Sequence, residues 1–203
     1  MKREEFIELI NSMEEKNEGY GEDWYNEEPI LTFLKEHSKD KEIYLSIIKF
    51  HPDILEYADK LLQNDFELMS MAVEEWGVSA LKYASENLKD DRYIVNLAIN
   101  YTQVSSKGGF VLEFVSETLR DDIEIVDKVM TWCLDPDSSE EFKYASENIK
   151  NNKEFIIDQL EFFTEHFDNP VFLQYISSEL KNDTEFIKEL IEINPNSIKY
   201  VSL

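Results

Sequence analysis

The 203-residue chain has one cysteine, Cys133, and only five glycines and five prolines. A single thiol excludes an internal disulfide framework and fits a reducing compartment. Scarce glycine and proline argue against long disordered linkers, and no apolar run approaches the ~20 residues of a membrane span. The order Gly, four spacers, Gly-Lys-Ser/Thr of a phosphate-binding loop is missing. The three histidines, His37, His51 and His166, stand in separate segments, without the His-x-x-x-His or Cys/His spacing of a zinc site. The opening Met1-Lys2-Arg3-Glu4-Glu5 turns acidic at once, unlike a secretory leader, so a cytoplasmic protein is expected. No catalytic, cofactor-binding or metal-ligating residue is expected.

Positive charge is also scarce. Twenty lysines and arginines face 44 aspartates and glutamates, a net charge of −24 and a pI near 4.4. Such a field repels phosphate backbones, so direct binding to nucleic acid or to anionic membranes is not expected. A basic protein partner is. Individually, many of the acids need no explanation beyond solvating helix faces and capping helix ends.

What the chain does have is repetition. The string Lys-Tyr-Ala-Ser-Glu-Asn occurs at Lys82 to Asn87 and again at Lys143 to Asn148. Aligned on their aromatics, looser copies anchor on Phe33, Tyr57, Tyr83, Phe114, Tyr144, Tyr175 and Tyr200, at steps of about 24 to 31 residues. Apolar residues recur two before the anchor (Leu81, Phe142), one after (Ala84, Ala145) and five after (Leu88, Ile149), which is one helical face. A first helix of about ten residues is expected, with the small Ser85, Ser116, Ser146, Ser177 and Ser202 allowing a neighbouring helix to approach closely. The anchor aromatics, at the edge of this stripe, are expected to pack between units.

A polar pair followed by Glu opens the second half of each unit, as in Asn64-Asp65-Phe66-Glu67 and Asn182-Asp183-Thr184-Glu185. The first member of the pair is expected to cap, with the Glu three residues on reaching back in a capping box. Behind it runs a second helical face, for example Leu68, Met69, Ala72 and Val73. A lone hairpin of this size cannot bury both faces, whereas stacked neighbours can. The expected fold is all-α: an α-solenoid of stacked helical hairpins over 29–203, preceded over 1–28 by an amphipathic cap helix, Arg3 to Lys16, and an acidic aromatic loop. A last half unit starts at Asn194-Pro195-Asn196.

Few segments escape the pattern. Ser105 to Gly109 faintly resembles an anion-binding loop but reads better as a lengthened connection, and Asp135 to Glu140 lacks the Gly of a calcium loop and reads as a capped turn. Cys133 reads as a small buried hydrophobe. The loop from Glu18 to Tyr25 combines backbone freedom, aromatics and negative charge. That makes Tyr20, Glu22, Asp23, Trp24 and Tyr25 the candidate partner-binding residues, against the alternative that Trp24 tucks onto the first repeat.

The segment Ala80 to Asp91 and its fellow Phe142 to Asn152 resemble the repeat of domain of unknown function 4116, which reads Ala-Leu-x-Tyr-Ala-Ser-Glu-x-Leu-Lys-Asn-Asp before a Val-rich helix. The likeness is weaker at Asp53 to Ala72 and Phe172 to Leu190 and poor before residue 50, with Phe114 and Asp59 departing from the pattern. The resemblance implies the fold and carries over no functional residues.

These features lead to the expectation of a non-catalytic interaction module that binds a basic protein. One concrete form is an inhibitor or immunity-type protein that covers the positive groove of a nucleic-acid-acting enzyme or toxin. A generic scaffold, a secreted effector, or an enzyme with a site hidden among carboxylates are the alternatives.

Overall fold

The computed structural model describes residues 2–16, 28–104, 110–132, 136–167 and 169–201, and among them every regular element is helical. The chain divides into two compact units, Met1–Tyr101 and Thr102–Leu203. The second to sixth repeats each have three pieces rather than two. A short lead-in, α or 3-10, is followed by a four-residue helix and then by a long helix. The third repeat, for instance, runs Val78–Leu81, Glu86–Lys89 and Arg92–Val104.

The expected ten-residue first helix breaks at the serine. Ser85, Ser116 and Ser146 adopt extended backbone angles and N-cap the four-residue helix. Ser177 caps Ser178–Lys181 in the same way, and Asp59 takes this role in the second repeat. A hydroxyl that satisfies a free N–H stabilises a helix start more than a helix interior, so the chain turns here. Apolar residues on both sides of the turn still reach one core: Leu81, Ala84 and Leu88 are all buried, as are Phe142, Ala145 and Ile149. Only the end repeats depart, with Leu31 half-buried and Ile198 exposed.

The long helices are capped by the second residue of the polar pair, not the first. Asp65 accepts from Leu68 N–H, Asn152 from Phe155 N–H, and Asp183 from both Glu185 and Phe186 N–H. The Glu therefore stands two residues after the cap, where it suits the helix dipole but is one place short of a capping box. The first residue of the pair is left free for another use, described below.

In the first unit the helix Arg3–Lys16 closes the N-terminal end. Phe6 and Ile10 are buried, Phe6 stacks on Phe33 at 4.3 Å, and Arg3 reaches Glu42 at 2.9 Å. The helix Lys41–Ile47 packs on Phe66–Trp76, and Trp76 Nε1 donates to the Ile48 carbonyl at 2.7 Å. Gly77, at φ +53°, ends that helix, and a Cβ there would lie 2.3 Å from Tyr101 Cδ1, so no other residue fits without displacing the ring.

In the second unit two rows of elements pack consecutively. The lead-ins Val111–Phe114, Pro136–Tyr144 and Val171–Tyr175 each touch the next, and Val171–Tyr175 touches Ile198–Val201. Behind them Ile123–Trp132 packs on Lys153–His166, which packs on Thr184–Ile193. The fully buried Phe142 meets Phe172 edge-on at 5.6 Å and Phe155 at 6.1 Å.

Candidate functional site

The loop residues expected to bind a partner, Tyr20, Glu22, Asp23, Trp24 and Tyr25, lie outside the described residues, as do Cys133 and the Ser105 to Gly109 connection. Within the described residues the histidines serve the backbone. His37 and His166 each place Nδ1 near the carbonyl four residues back and stack on the ring there, Phe33 or Phe162. His51 Nδ1 accepts from Asp53 N–H.

The duplicated string proves to be a connector between neighbouring repeats. Ser85 N–H donates to the Gln63 carbonyl at 2.9 Å and its hydroxyl to Asn64 Oδ1 at 2.5 Å, while the Asn87 amide points to the same oxygen. The second copy does the same: Ser146 N–H bonds the Arg120 carbonyl, and its hydroxyl and the Asn148 amide both donate to Asp121. Ser177 repeats the arrangement with Lys150 and Asn151. Thus in these three repeats the first member of the polar pair receives the serine of the next repeat. Donation by Ser146, then by Asn148, holds the Asp121 carboxyl below the usual range.

The remaining letters have roles too. Lys82 and Tyr83 both hold Asp53, at 2.9 and 2.7 Å. Lys143 sits over the rings of Phe110 and Tyr144. Glu86 pairs with Lys89 and Glu147 with Lys150, each at 3.1 Å. The serine was expected as a small spacer; it is a cap and a bridge. Ser177→Ala loses the Leu180 cap and the bond to Asn151 Oδ1, so urea denaturation is expected to show a loss of about 1–2 kcal/mol.

Between the serine-capped helices of the second unit run two shallow grooves. One, of about 420 Å³, is lined by Glu117, Asp121, Ser146 and Glu147; the next, of about 390 Å³, by Glu147, Asn151 and Glu179. On the long helix Lys153–His166, the exposed Glu154, Asp158, Glu161 and Glu165 recur at intervals of four, three and four, hence as one stripe. Among the described residues no cation pairs with any of the four. The neighbouring helix Thr184–Ile193 presents Glu185, Glu189 and Glu192 in the same way, and among the described residues only Glu185 has a cationic partner, Lys188 at 2.8 Å. Like charges three or four apart cost about 0.2–0.5 kcal/mol per pair. Beyond Glu154, which suits the helix dipole, the stripe does not serve stability.

One acid is different. Glu141 is 2 % exposed and accepts from Leu112 N–H at 2.9 Å, capping the lead-in of the preceding repeat. Burial pushes its carboxyl up to about 8, against the pull of the Leu112 and Val111 N–H groups; Glu113 adds to the rise and Lys143 opposes it. Sequence reasoning missed it, although a signal existed: three residues before the anchor, the other copies carry Ile30, Ile54, Ala80, Val111 and Phe172, and only the last half unit is also polar, with Ser197.

The family model described as domain of unknown function (DUF4116) matches residues 40–89 and 161–203. These two stretches, just under half of the chain, are similar to that family. The first DUF4116 stretch holds the first copy of the duplicated string, and the second runs through the Ser177 connector. The resemblance read at Phe142 to Asn152 falls between the two stretches. No curated protein and no solved structure matches the chain. No helix among the described residues is long and apolar enough to cross a membrane.

Proposed function

We propose that this chain is a non-catalytic interaction protein, an α-solenoid of stacked helical repeats with an N-terminal cap helix, whose acidic surface engages a basic protein in the cytoplasm. The observation that carries the reading is the unpaired stripe Glu154, Asp158, Glu161 and Glu165, set on a chain of net charge −24. Aligned carboxylates that weaken their own helix are well suited to drawing in a cationic surface, and the field of the whole chain speeds the encounter. Consecutive packing of lead-ins and long helices within the second unit supports the solenoid, because each repeat there buries its faces against the next. In its concrete form the partner is a nucleic-acid-acting enzyme or toxin, with carboxylates standing in for phosphates in its groove. Glu141 gives no support to the enzyme alternative, since its carboxyl is closed from solvent and occupied by backbone N–H groups.

Capture on the purified full chain from the cell that makes it, at low and then high salt, tests this. A basic protein that is retained at low salt and released by high salt is the expected result. A partner indifferent to salt, or turnover of a small molecule with no stable partner, would overturn it.

A further inference from the structure

Two long helices, those starting at Lys41 and Lys153, share a device that the one starting at Phe66 lacks. At the first helical position, Lys41 extends its ammonium to the N-cap of the next long helix, 2.7 Å from Asp65 and 2.7 Å from Glu67. Lys153 does the same toward Asp183 at 2.5 Å, with its ammonium over the Phe186 ring at 5.3 Å. In each case an internal cation sits against an N-cap carboxylate of the next repeat. Between Ile123 and Asn152 both the cation and the carboxylate are replaced by uncharged residues, so nothing is left unmatched.

The second repeat breaks this rule. Its first helical position is Phe66, while the next N-cap is still a carboxylate, Asp91. Asp91 accepts from Tyr93 N–H at 2.8 Å and Ile94 N–H at 3.2 Å, and no cationic side chain among the described residues bridges to it. Phe66 instead lies against Tyr93, ring centroids 5.8 Å apart and tilted by 31°. Both rings are open to solvent, Phe66 at 48 % and Tyr93 at 59 %. Two exposed aromatic rings and an unmatched carboxylate therefore stand where the first and fifth repeats hold a lysine.

We infer that Phe66, Tyr93 and Asp91 form a docking point for a lysine or arginine side chain of a basic protein, which supplies the cation that this repeat lacks. The inference rests on the proposed binding of a basic partner and places one anchor of it. Charge selects the occupant. A second copy of this chain, a nucleic acid or an anionic membrane would each bring negative charge to a molecule already at −24. An ammonium or guanidinium gains from the ring faces and the carboxylate together.

The test is binding of a fluorescently labelled octa-arginine peptide at low salt, read by anisotropy, with octa-glutamate as control. Phe66→Ser and Tyr93→Ser are each expected to weaken octa-arginine binding by about three- to tenfold. Phe66→Lys rebuilds the internal bridge to Asp91, so it should weaken binding at least as much while raising Tm. Met71→Lys places the same charge on an exposed position of the same helix and should weaken binding by less than about twofold. If Phe66→Lys and Met71→Lys act alike and the serine variants bind as wild type does, the docking point is wrong while the acidic reading stands. If wild type prefers neither peptide, both fall.

Discussion

Phe142→Ala is expected to lower the unfolding free energy by about 3–5 kcal/mol. The side chain is wholly buried in the lead-in of the fifth repeat, between the Phe172 ring of the following lead-in and the Phe155 ring of its own long helix. Those two rings belong to separate elements, the long helix Lys153–His166 capped by Asn152 and the lead-in Val171–Tyr175. Collapse into the cavity would require both elements to shift, and interiors packed at crystal-like density relax only in part. For about 200 residues the loss corresponds to a fall in Tm of about 10 °C. Phe142→Leu installs the residue that Leu81, Leu112 and Leu173 supply in other repeats, and should cost less than half as much. Urea denaturation decides: a loss below about 1 kcal/mol for the alanine variant would mean that the lead-ins do not pack as a row.

The second large effect depends on pH. The folded Glu141 carboxyl titrates at about 8, well above its ordinary value of 4.5. Between these values the unfolded chain is ionised at this residue while the folded chain keeps its proton. Unfolding then releases a proton, so stability must fall as pH rises from about 4.5 through 8 and level off above. The total is on the order of several kcal/mol if burial sets the shift alone. Glu141→Gln retains a carbonyl for Leu112 N–H without the ionisable group, and should remove the slope. The expected result is a variant close to wild type at pH 5 and clearly more stable at pH 9. Parallel stability curves for the two proteins across that range would show that Glu141 is not held neutral by the fold.

Periodicity made the helices legible because burial of an apolar face is the largest force on these segments. Leu88, Leu119, Ile149 and Leu180, five after each anchor, are all buried, and so are Leu68, Met69, Ala72 and Val73 behind the Asp65 cap. Where the helices break was harder to read, since the stripe runs unchanged across the break. Ser85 and Asp65 are decided instead by local competition between side-chain oxygens and backbone N–H groups. The repeat-to-repeat partner of each cap, such as Asn64 for Ser85, is set by stacking and has no one-dimensional signature. Glu141 and Phe66 are cases of another kind. Both depart from what their repeat position usually carries, and both depart where the structure places something unusual, a buried acid and an exposed ring pair. In a repeat protein the residues that differ between copies are where function is best sought, because the shared ones are committed to holding neighbours together.

The exposed carboxylates bear most of the functional argument, and the salt dependence of partner association tests them directly. The protein captured on this chain should bind both the wild-type chain and a variant with Glu154, Glu161 and Glu165 replaced by Gln and Asp158 by Asn. Surface-plasmon measurement at several salt concentrations is expected to show an association rate that falls steeply with salt for wild type and less steeply for the variant, with dissociation little changed. An association rate indifferent both to salt and to removal of the stripe would contradict the account.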